Sequence, residues 1–133
     1  MRALEGLRVL LVDDEADSLE IARMMLERDG ATVACAMTAE KALAMIQDDP
    51  PDAVLCDIAM PEHDGFWLLR NLRALPAKQG GTIPVAALTA HASAATTKEV
   101  LRAGFRLHIK KPAGPEQLVK AVTSLTGRKS PAG

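Results

Sequence analysis

Five short aliphatic runs, separated by longer stretches of helical period, constrain the fold of this chain more than any other feature of it. Three of the runs are almost continuously apolar, which is typical of strands buried on both faces of a parallel sheet. The last run is the most polar, so we expect it at an edge of the sheet. The runs occupy residues 7–13 (LRVLLVD), 31–36 (ATVACA), 52–57 (DAVLCD), 83–88 (IPVAAL) and 106–110 (RLHIK).

The stretches between these runs carry recognisable start and stop signals of helices. We expect helices at 16–28, in AEKALAMIQ after Thr38, from Gly65 to about Leu75, at 93–103, and from Pro115 to about Thr126. Strict alternation of strand and helix predicts a single doubly wound (βα)5 domain of the α/β class with right-handed crossovers. We place this domain at residues 1–127 and expect residues 128–133 to form a flexible C-terminal tail.

Composition excludes several classes of function. A chain of 133 residues with 48% hydrophobic side chains suits one core, and a net charge of -1 gives no sign of binding to nucleic acid or to a membrane. No apolar stretch approaches the ~20 residues of a membrane helix, and the first residues lack a signal peptide, so we expect a cytoplasmic protein. Cys35 and Cys56 belong to no C-x-x-C pair and are expected to be reduced core thiols.

Polar residues follow four of the five expected strands. Acids crowded together repel one another, which indicates a cation to be held or a proton to be managed. In a doubly wound sheet, ligands bind beyond the carboxyl ends of the strands, at the point where strand order reverses. We therefore expect five side chains to converge on one edge of the sheet: Asp13, Asp14, Asp57, Thr89 and Lys111.

Four motifs lie in register with the five strands: LLVDDE, CDIAMPEHDG, ALTA and KKP. Each motif is weak evidence alone, but together they are specific. Over about residues 7–126 the chain resembles a receiver domain of two-component signalling, as found in response regulators and hybrid histidine kinases. The resemblance implies a flavodoxin-like five-stranded parallel sheet of order 2-1-3-4-5, an order that the hydrophobic pattern alone does not provide.

The resemblance also implies a phosphorylation site and a magnesium site. Asp57 would be the phosphorylated residue, since a carboxylate can attack phosphorus and form an acyl phosphate. Asp14 and Asp57 would bind Mg²⁺ through their side chains, Ala59 through its backbone carbonyl, and Asp13 directly or through water. Hard oxygen ligands of this kind are those that Mg²⁺ prefers.

Four further side chains receive roles from the resemblance. Lys111 would pair with one oxygen of the bound phosphoryl group, and the Thr89 hydroxyl would donate to another. Receivers often carry Tyr or Phe three residues before this lysine, and here the position is His108, the candidate for the switch side chain. Receivers of hybrid histidine kinases with a GF…H…KP pattern also carry histidine there, so the chain resembles that branch of the family. His91, like Ala59, occupies a position that in receivers modulates loss of the phosphate.

These roles imply a phosphoacceptor in a two-component phosphorelay rather than an enzyme. It would take a phosphoryl group from a histidine kinase onto Asp57 with Mg²⁺, promote its own phosphorylation and dephosphorylation, and switch the surface of the fourth helix, fifth strand and fifth helix toward a protein target not identifiable from the sequence. The chain would be either a stand-alone receiver or a fragment of a hybrid histidine kinase.

Three other classes of function share parts of this pattern. A degenerate receiver would dock partners without being phosphorylated. A haloacid dehalogenase-type phosphatase also forms an aspartyl phosphate, but it typically has a second acid two residues after the nucleophile, where this chain has Ala59. A nucleotide-binding module would have a glycine-rich loop after the first strand, where this chain has Asp-Asp-Glu.

Overall fold

The computed structural model describes residues 2–90 and 93–128, which form a parallel sheet covered by helices on both faces. The strands are β1 (Arg8–Val12), β2 (Thr32–Ala36), β3 (Ala53–Asp57), β4 (Val85–Thr89) and β5 (Leu107–Lys110). The helices are α1 (Ala16–Arg28), α2 (Ala39–Asp48), α3 (Gly65–Arg73), α4 (Ala94–Ala103) and α5 (Pro115–Thr126), and a 3-10 helix (Ala77–Gln79) precedes β4.

The strand order is β2-β1-β3-β4-β5, with every pair parallel. This confirms the predicted (βα)5 architecture and the order 2-1-3-4-5, and it confirms that the most polar strand, β5, lies at an edge. The chain steps from β1 outward to β2 and then back across to β3, so strand order reverses between β1 and β3. The carboxyl ends of these two strands therefore flank the crevice where ligands of such sheets bind.

The central strands are buried because helices cover both of their faces. All five residues of β3 and all five of β4 are buried. Alternate side chains of β3 enter different cores: Val54 and Cys56 pack with residues of α2 and α3, whereas Ala53 and Leu55 pack with residues of α1 and α5. A strand that is exposed on one face alternates apolar and polar residues, whereas a strand with two buried faces is apolar at nearly every position. These runs are therefore continuously apolar.

Most predicted boundaries are confirmed. The structure gives α1 and α5 the predicted bounds, and the Thr38 hydroxyl caps α2 by accepting from the Lys41 amide at 3.1 Å. Helix α3 ends two residues earlier than predicted, because Pro76 disfavours helical backbone at the residue before it. The 3-10 helix that follows lies in a stretch to which we assigned no helix or strand.

Strand β4 is displaced by one to two residues from the prediction of 83–88. The Ile83 amide donates to the Gly80 carbonyl in the preceding turn, and Pro84 has no amide hydrogen to donate. The strand therefore begins at Val85 and runs on to Thr89, which is its last residue rather than the first residue after it.

Both cysteines are free thiols, as predicted. Cys56 is buried in β3, and burial raises the pKa of its thiol well above the usual range; Cys35 in β2 is half-buried. Across residues 2–90 and 93–128, the structure contains no helix with the length and hydropathy that a membrane span requires.

The C-terminal end of the domain is only partly described. Gly127 ends α5 with a left-handed backbone (φ 70°), and the Arg128 guanidinium donates to the Glu5 carbonyl. The rest of the predicted tail, 129–133, lies outside the described residues, as does His91.

Candidate functional site

Three carboxylates meet at the carboxyl ends of β1 and β3. Asp13 and Asp14 follow β1 directly, Asp57 is the last residue of β3, and one oxygen from each lies within 4.8 Å of the other two. Asp13 is only 3% exposed and Asp57 only 7%, whereas Asp14 is half-buried. The structure thus brings together the acids predicted to hold a cation.

The Lys111 ammonium lies between two of these carboxylates. Its Nζ donates to Asp13 Oδ2 at 2.7 Å and to Asp57 Oδ2 at 3.3 Å. Lys111 follows β5, and its peptide bond to Pro112 is cis. The neighbouring Lys110 is exposed, so the structure supports the choice of the second lysine as the member of the site.

Backbone amides orient the two buried carboxylates. Asp13 Oδ1 accepts from the Glu15 amide at 3.0 Å, and Asp57 Oδ1 accepts from the Ala59 amide at 2.9 Å. Each aspartate therefore uses one oxygen to hold the loop that follows it and turns the other toward Lys111. The Glu15 side chain is exposed and makes no capping bond to α1, so the third acid of the run is separate from the cluster.

The electrostatics of the site combine burial with charge pairing. Burial raises the pKa of the Asp57 carboxyl, and the repulsive charge of Asp13 adds to that; the Ala59 amide and the Lys111 ammonium oppose the rise without cancelling it. For Lys111, burial acts to lower the pKa, but the hydrogen bond to Asp13 and the charge of Asp57 outweigh burial and raise it. For Asp57, burial therefore outweighs the stabilisation that the Ala59 amide and the Lys111 ammonium give to the ionised carboxylate.

The loop after β3 is shaped by a helix cap and a glycine. Asp64 Oδ1 accepts from the Trp67 amide at 2.9 Å and so caps α3, a role that we had not assigned, although an aspartate before a helical run is a usual cap. At Gly65 a Cβ atom would lie 2.8 Å from the Cα of Ile58. Only glycine lets α3 begin this close to the chain that follows Asp57.

Thr89 and His108 form a second polar group beside the acids. Thr89 is 4% exposed at the end of β4, and its Oγ1 lies 2.6 Å from Nε2 of His108 on β5. The His108 ring is half-buried, and its Nδ1 lies 2.8 Å from Oγ1 of Thr97 on α4. The Ser93 hydroxyl caps α4, accepting from the Thr96 amide at 3.1 Å. Nothing in the sequence indicated Thr97, because its contact depends on how α4 packs against β5.

A cleft of about 530 Å³ opens beside the carboxylates. Its polar end contains the acids and Lys111. Its apolar end lies between α1 and the start of α5 and is lined by Leu19, Ile21, Met25, Ala113 and Leu118. A molecule that reaches Asp57 through this cleft passes over apolar side chains of α1.

The model of the response regulator receiver domain family matches residues 9–123, which include the acids, Thr89 and Lys111. The chain belongs to this family. A structure described as a putative response regulator from Chloroflexus aurantiacus superposes on this receiver with a TM-score of 0.85 at 31% identity, covering 93% of this chain and all of the other. Membership favours the receiver over the haloacid dehalogenase-type phosphatase weighed from the sequence.

Similar sequences occur both as small proteins and as parts of kinases. An uncharacterised 14.6 kDa protein from Leptolyngbya boryana is 39% identical over 122 residues, which is 92% of each chain. The sensor histidine kinase GacS of Pseudomonas protegens is 36% identical over 121 residues, 90% of this receiver but only 13% of the kinase. The similarity to GacS is therefore confined to a small part of that kinase.

Proposed function

We propose that this receiver accepts a phosphoryl group on Asp57 from the phosphohistidine of a histidine kinase, with Mg²⁺ bound at the acidic cluster. The observation that supports this most directly is the position of Asp57 in the site: it lines an open cleft, beside two further acids and one ammonium. Family membership supports phosphoacceptance in general, and the roles of individual residues are part of the proposal.

The donor set of the cluster fits Mg²⁺. Three carboxylates within 4.8 Å of one another offer hard oxygen ligands. Burial and the neighbouring charge of Asp13 raise the pKa of Asp57, and a bound cation would favour its ionised form. Asp14 and Asp57 would hold the ion, with the Ala59 carbonyl and Asp13, the latter directly or through water. Bound there, Mg²⁺ would neutralise charge on the phosphoryl oxygens.

Transfer then requires little covalent chemistry from the protein. A carboxylate oxygen of Asp57 attacks phosphorus, the bond from phosphorus to the donor nitrogen breaks, and the leaving imidazole keeps the electron pair of that bond. The Ala59 amide, which already donates to Asp57 Oδ1, leaves the other oxygen directed at Lys111 and the cleft. Lys111 would follow the negative charge onto a phosphoryl oxygen, and Thr89 would donate to a second one.

The cleft suits a protein as phosphodonor. Ile21 on α1 is 55% exposed and lines the cleft, and Met24 on the same helix is 61% exposed. Exposed apolar side chains of this size beside a charged site are typical of surfaces that contact other proteins. A kinase would cover them while its phosphohistidine enters the cleft.

Signal output is proposed to run through α4, β5 and α5. Thr89 contacts His108 on β5, and His108 contacts α4, so a change at the phosphorylation site has a direct path to that surface. His108 thus remains the candidate switch residue, with a downstream protein as the recipient of the signal.

Phosphate incorporation from acetyl phosphate with Mg²⁺ tests the proposal. We expect the intact protein to gain the mass of one phosphoryl group, Asp57→Asn to gain none, and Asp52→Asn to behave as the wild type. Asp52 is the matched control, because this exposed acid precedes the same strand at its opposite end and binds the Arg8 amide there.

Two outcomes would count against the proposal in different ways. Undiminished labelling of Asp57→Asn would refute the choice of acceptor. An unlabelled wild type would support the other candidate, a degenerate receiver that docks partners without phosphorylation.

A further inference from the structure

A chain of hydrogen bonds leads from the end of β4 to the start of α4. Thr89 Oγ1 is 2.6 Å from His108 Nε2, and His108 Nδ1 is 2.8 Å from Thr97 Oγ1. The Thr97 hydroxyl in turn donates to the Ser93 carbonyl at 3.1 Å. His108 therefore links the buried Thr89 hydroxyl to Thr97 in α4 and, through Thr97, to Ser93 at the start of that helix.

The directions of these bonds follow from counting protons. We assign the single proton of the Thr97 hydroxyl to the Ser93 carbonyl, which can only accept, so that Thr97 Oγ1 accepts from His108 Nδ1–H. A neutral imidazole carries one ring proton, so Nε2 is then an acceptor. The Thr89 hydroxyl accordingly donates to His108.

With this direction, His108 Nε2 and a phosphoryl oxygen on Asp57 would compete for the proton of the Thr89 hydroxyl. A hydroxyl has a single proton, and the proposed function requires the Thr89 hydroxyl to donate to a phosphoryl oxygen on Asp57. We propose that Thr97 and His108 are positioning residues that form a latch, holding the Thr89 proton toward β5 while Asp57 is unphosphorylated. Phosphorylation withdraws that proton from His108 and opens the latch.

Opening the latch acts on a helix with few other attachments. Of the described residues of α4, Val100 alone is buried, and Leu101 is 48% exposed. The chain of bonds reaches Ser93, the residue whose hydroxyl caps α4. Release of His108 therefore loosens the capped first turns of α4, and the latch accounts for how the phosphorylation site controls that surface. This inference rests on the proposed role of Thr89.

The latch is tested by the affinity of the protein for beryllofluoride, a phosphoryl mimic, measured with Mg²⁺ by titration calorimetry. Thr97→Val keeps the shape of the side chain and removes the acceptor that holds His108, so we expect binding about three- to tenfold tighter than in the wild type, the effect of losing one competing hydrogen bond. Thr97→Ser restores the hydroxyl and should restore wild-type affinity. The matched control is Thr126→Val, whose hydroxyl makes the same kind of bond to a carbonyl four residues earlier, in α5.

A double-variant cycle tests whether Thr97 acts through His108. His108→Phe removes the ring acceptor and should also tighten binding; if the two residues belong to one latch, adding Thr97→Val to His108→Phe has no further effect. Unchanged or weaker binding by Thr97→Val, or additive effects in the double variant, would overturn the inference.

Failure of the latch and failure of the proposed function give different results. A wild type that binds neither beryllofluoride nor phosphate contradicts the function itself. The bond directions are tested separately in the unphosphorylated protein: in mildly alkaline buffer, ¹⁵N chemical shifts of the His108 ring should report a single ring proton, on Nδ1. A proton on Nε2 would overturn the latch even in a protein that is phosphorylated normally.

Discussion

Replacing Lys111 with methionine should expose how strongly the acids repel one another. The ammonium of Lys111 is the positive group that contacts both Asp13 and Asp57, whose side chains are only 5% and 9% exposed. Methionine keeps much of the aliphatic stem and removes the charge. Two buried carboxylates, with Asp14 nearby, would then face one another without compensation.

The distances allow the effect to be estimated. At an effective dielectric constant of about 20, charges at these separations attract by roughly 6 and 5 kcal/mol before desolvation is considered. Removing one partner of a buried pair costs about 3–5 kcal/mol net. Because the Lys111 side chain is 22% exposed and water can enter its place, we expect a loss of about 2–4 kcal/mol. In a domain of this size that lowers the melting temperature by about 10 °C.

Urea unfolding followed by circular dichroism, with chelator and then with excess MgCl2, is the assay. The loss should be largest with chelator at neutral pH. It should shrink with Mg²⁺, which supplies the missing charge, and in the double variant with Asp57→Asn, which removes one of the acids. It should also shrink on acidification, because burial raises the pKa of Asp57 and the carboxyl is protonated sooner as pH falls.

The matched control is Lys110→Met, which removes an equal charge from the exposed neighbouring position and should change stability by less than about 0.5 kcal/mol. Two results would refute the reasoning. One is a Lys111→Met protein as stable as the wild type in chelator. The other is a loss that Mg²⁺ and Asp57→Asn leave unchanged, which would assign the defect to packing rather than to charge.

Three further predictions concern other parts of the molecule. Asp57→Asn should raise the melting temperature in chelator by a few degrees at neutral pH. The pKa of Asp57 is higher in the folded than in the unfolded protein, so the wild type loses stability as pH rises through the folded pKa. The advantage of the Asn variant should therefore vanish below the usual aspartate pKa of 3.8. Calorimetry should find Mg²⁺ binding weakened at least about tenfold by Asp14→Ala and little changed by Glu15→Ala. Gly81→Ala should lower stability by about 2–4 kcal/mol in urea, because its Cβ would lie 1.9 Å from a carbonyl oxygen, whereas Gly114→Ala, with nothing within 4 Å, should cost less than about 1 kcal/mol.

The architecture could be predicted because the pattern of apolar residues in the sequence shows directly which faces of each element are buried. The β3 and β4 runs are apolar at nearly every position since both faces are covered, and the bounds of α1 and α5 follow from a glycine stop and a proline start. The order of the strands in the sheet cannot be predicted from this pattern. The order 2-1-3-4-5 came from the resemblance, since periodicity shows which face of an element is buried but not which neighbour covers it.

The acids and Lys111 could be predicted to meet because each follows a parallel strand, and the carboxyl ends of parallel strands share an edge. The contacts of His108 could not be predicted from the sequence. Its position in β5 was known, but its two ring nitrogens meet Thr89 and Thr97 only because α4 packs at one particular height along β5. A hydrogen bond is decided by tenths of an ångström, which no pattern of residue types encodes.

A count of charges gives a reason to expect that the proposed phosphorylation, like the stability of the fold, depends on a cation at the cluster. Three ionised carboxylates and the Lys111 ammonium leave the site with two net negative charges. A phosphoryl group approaches with about two more, so in the absence of a cation the attack by Asp57 would be opposed by repulsion that water screens poorly at a buried acid. A divalent ion brings the empty site to neutrality. In the proposed function, the acids that would destabilise the fold without metal would also make phosphorylation conditional on metal, and the two effects should change together in any variant that alters the charge of the cluster.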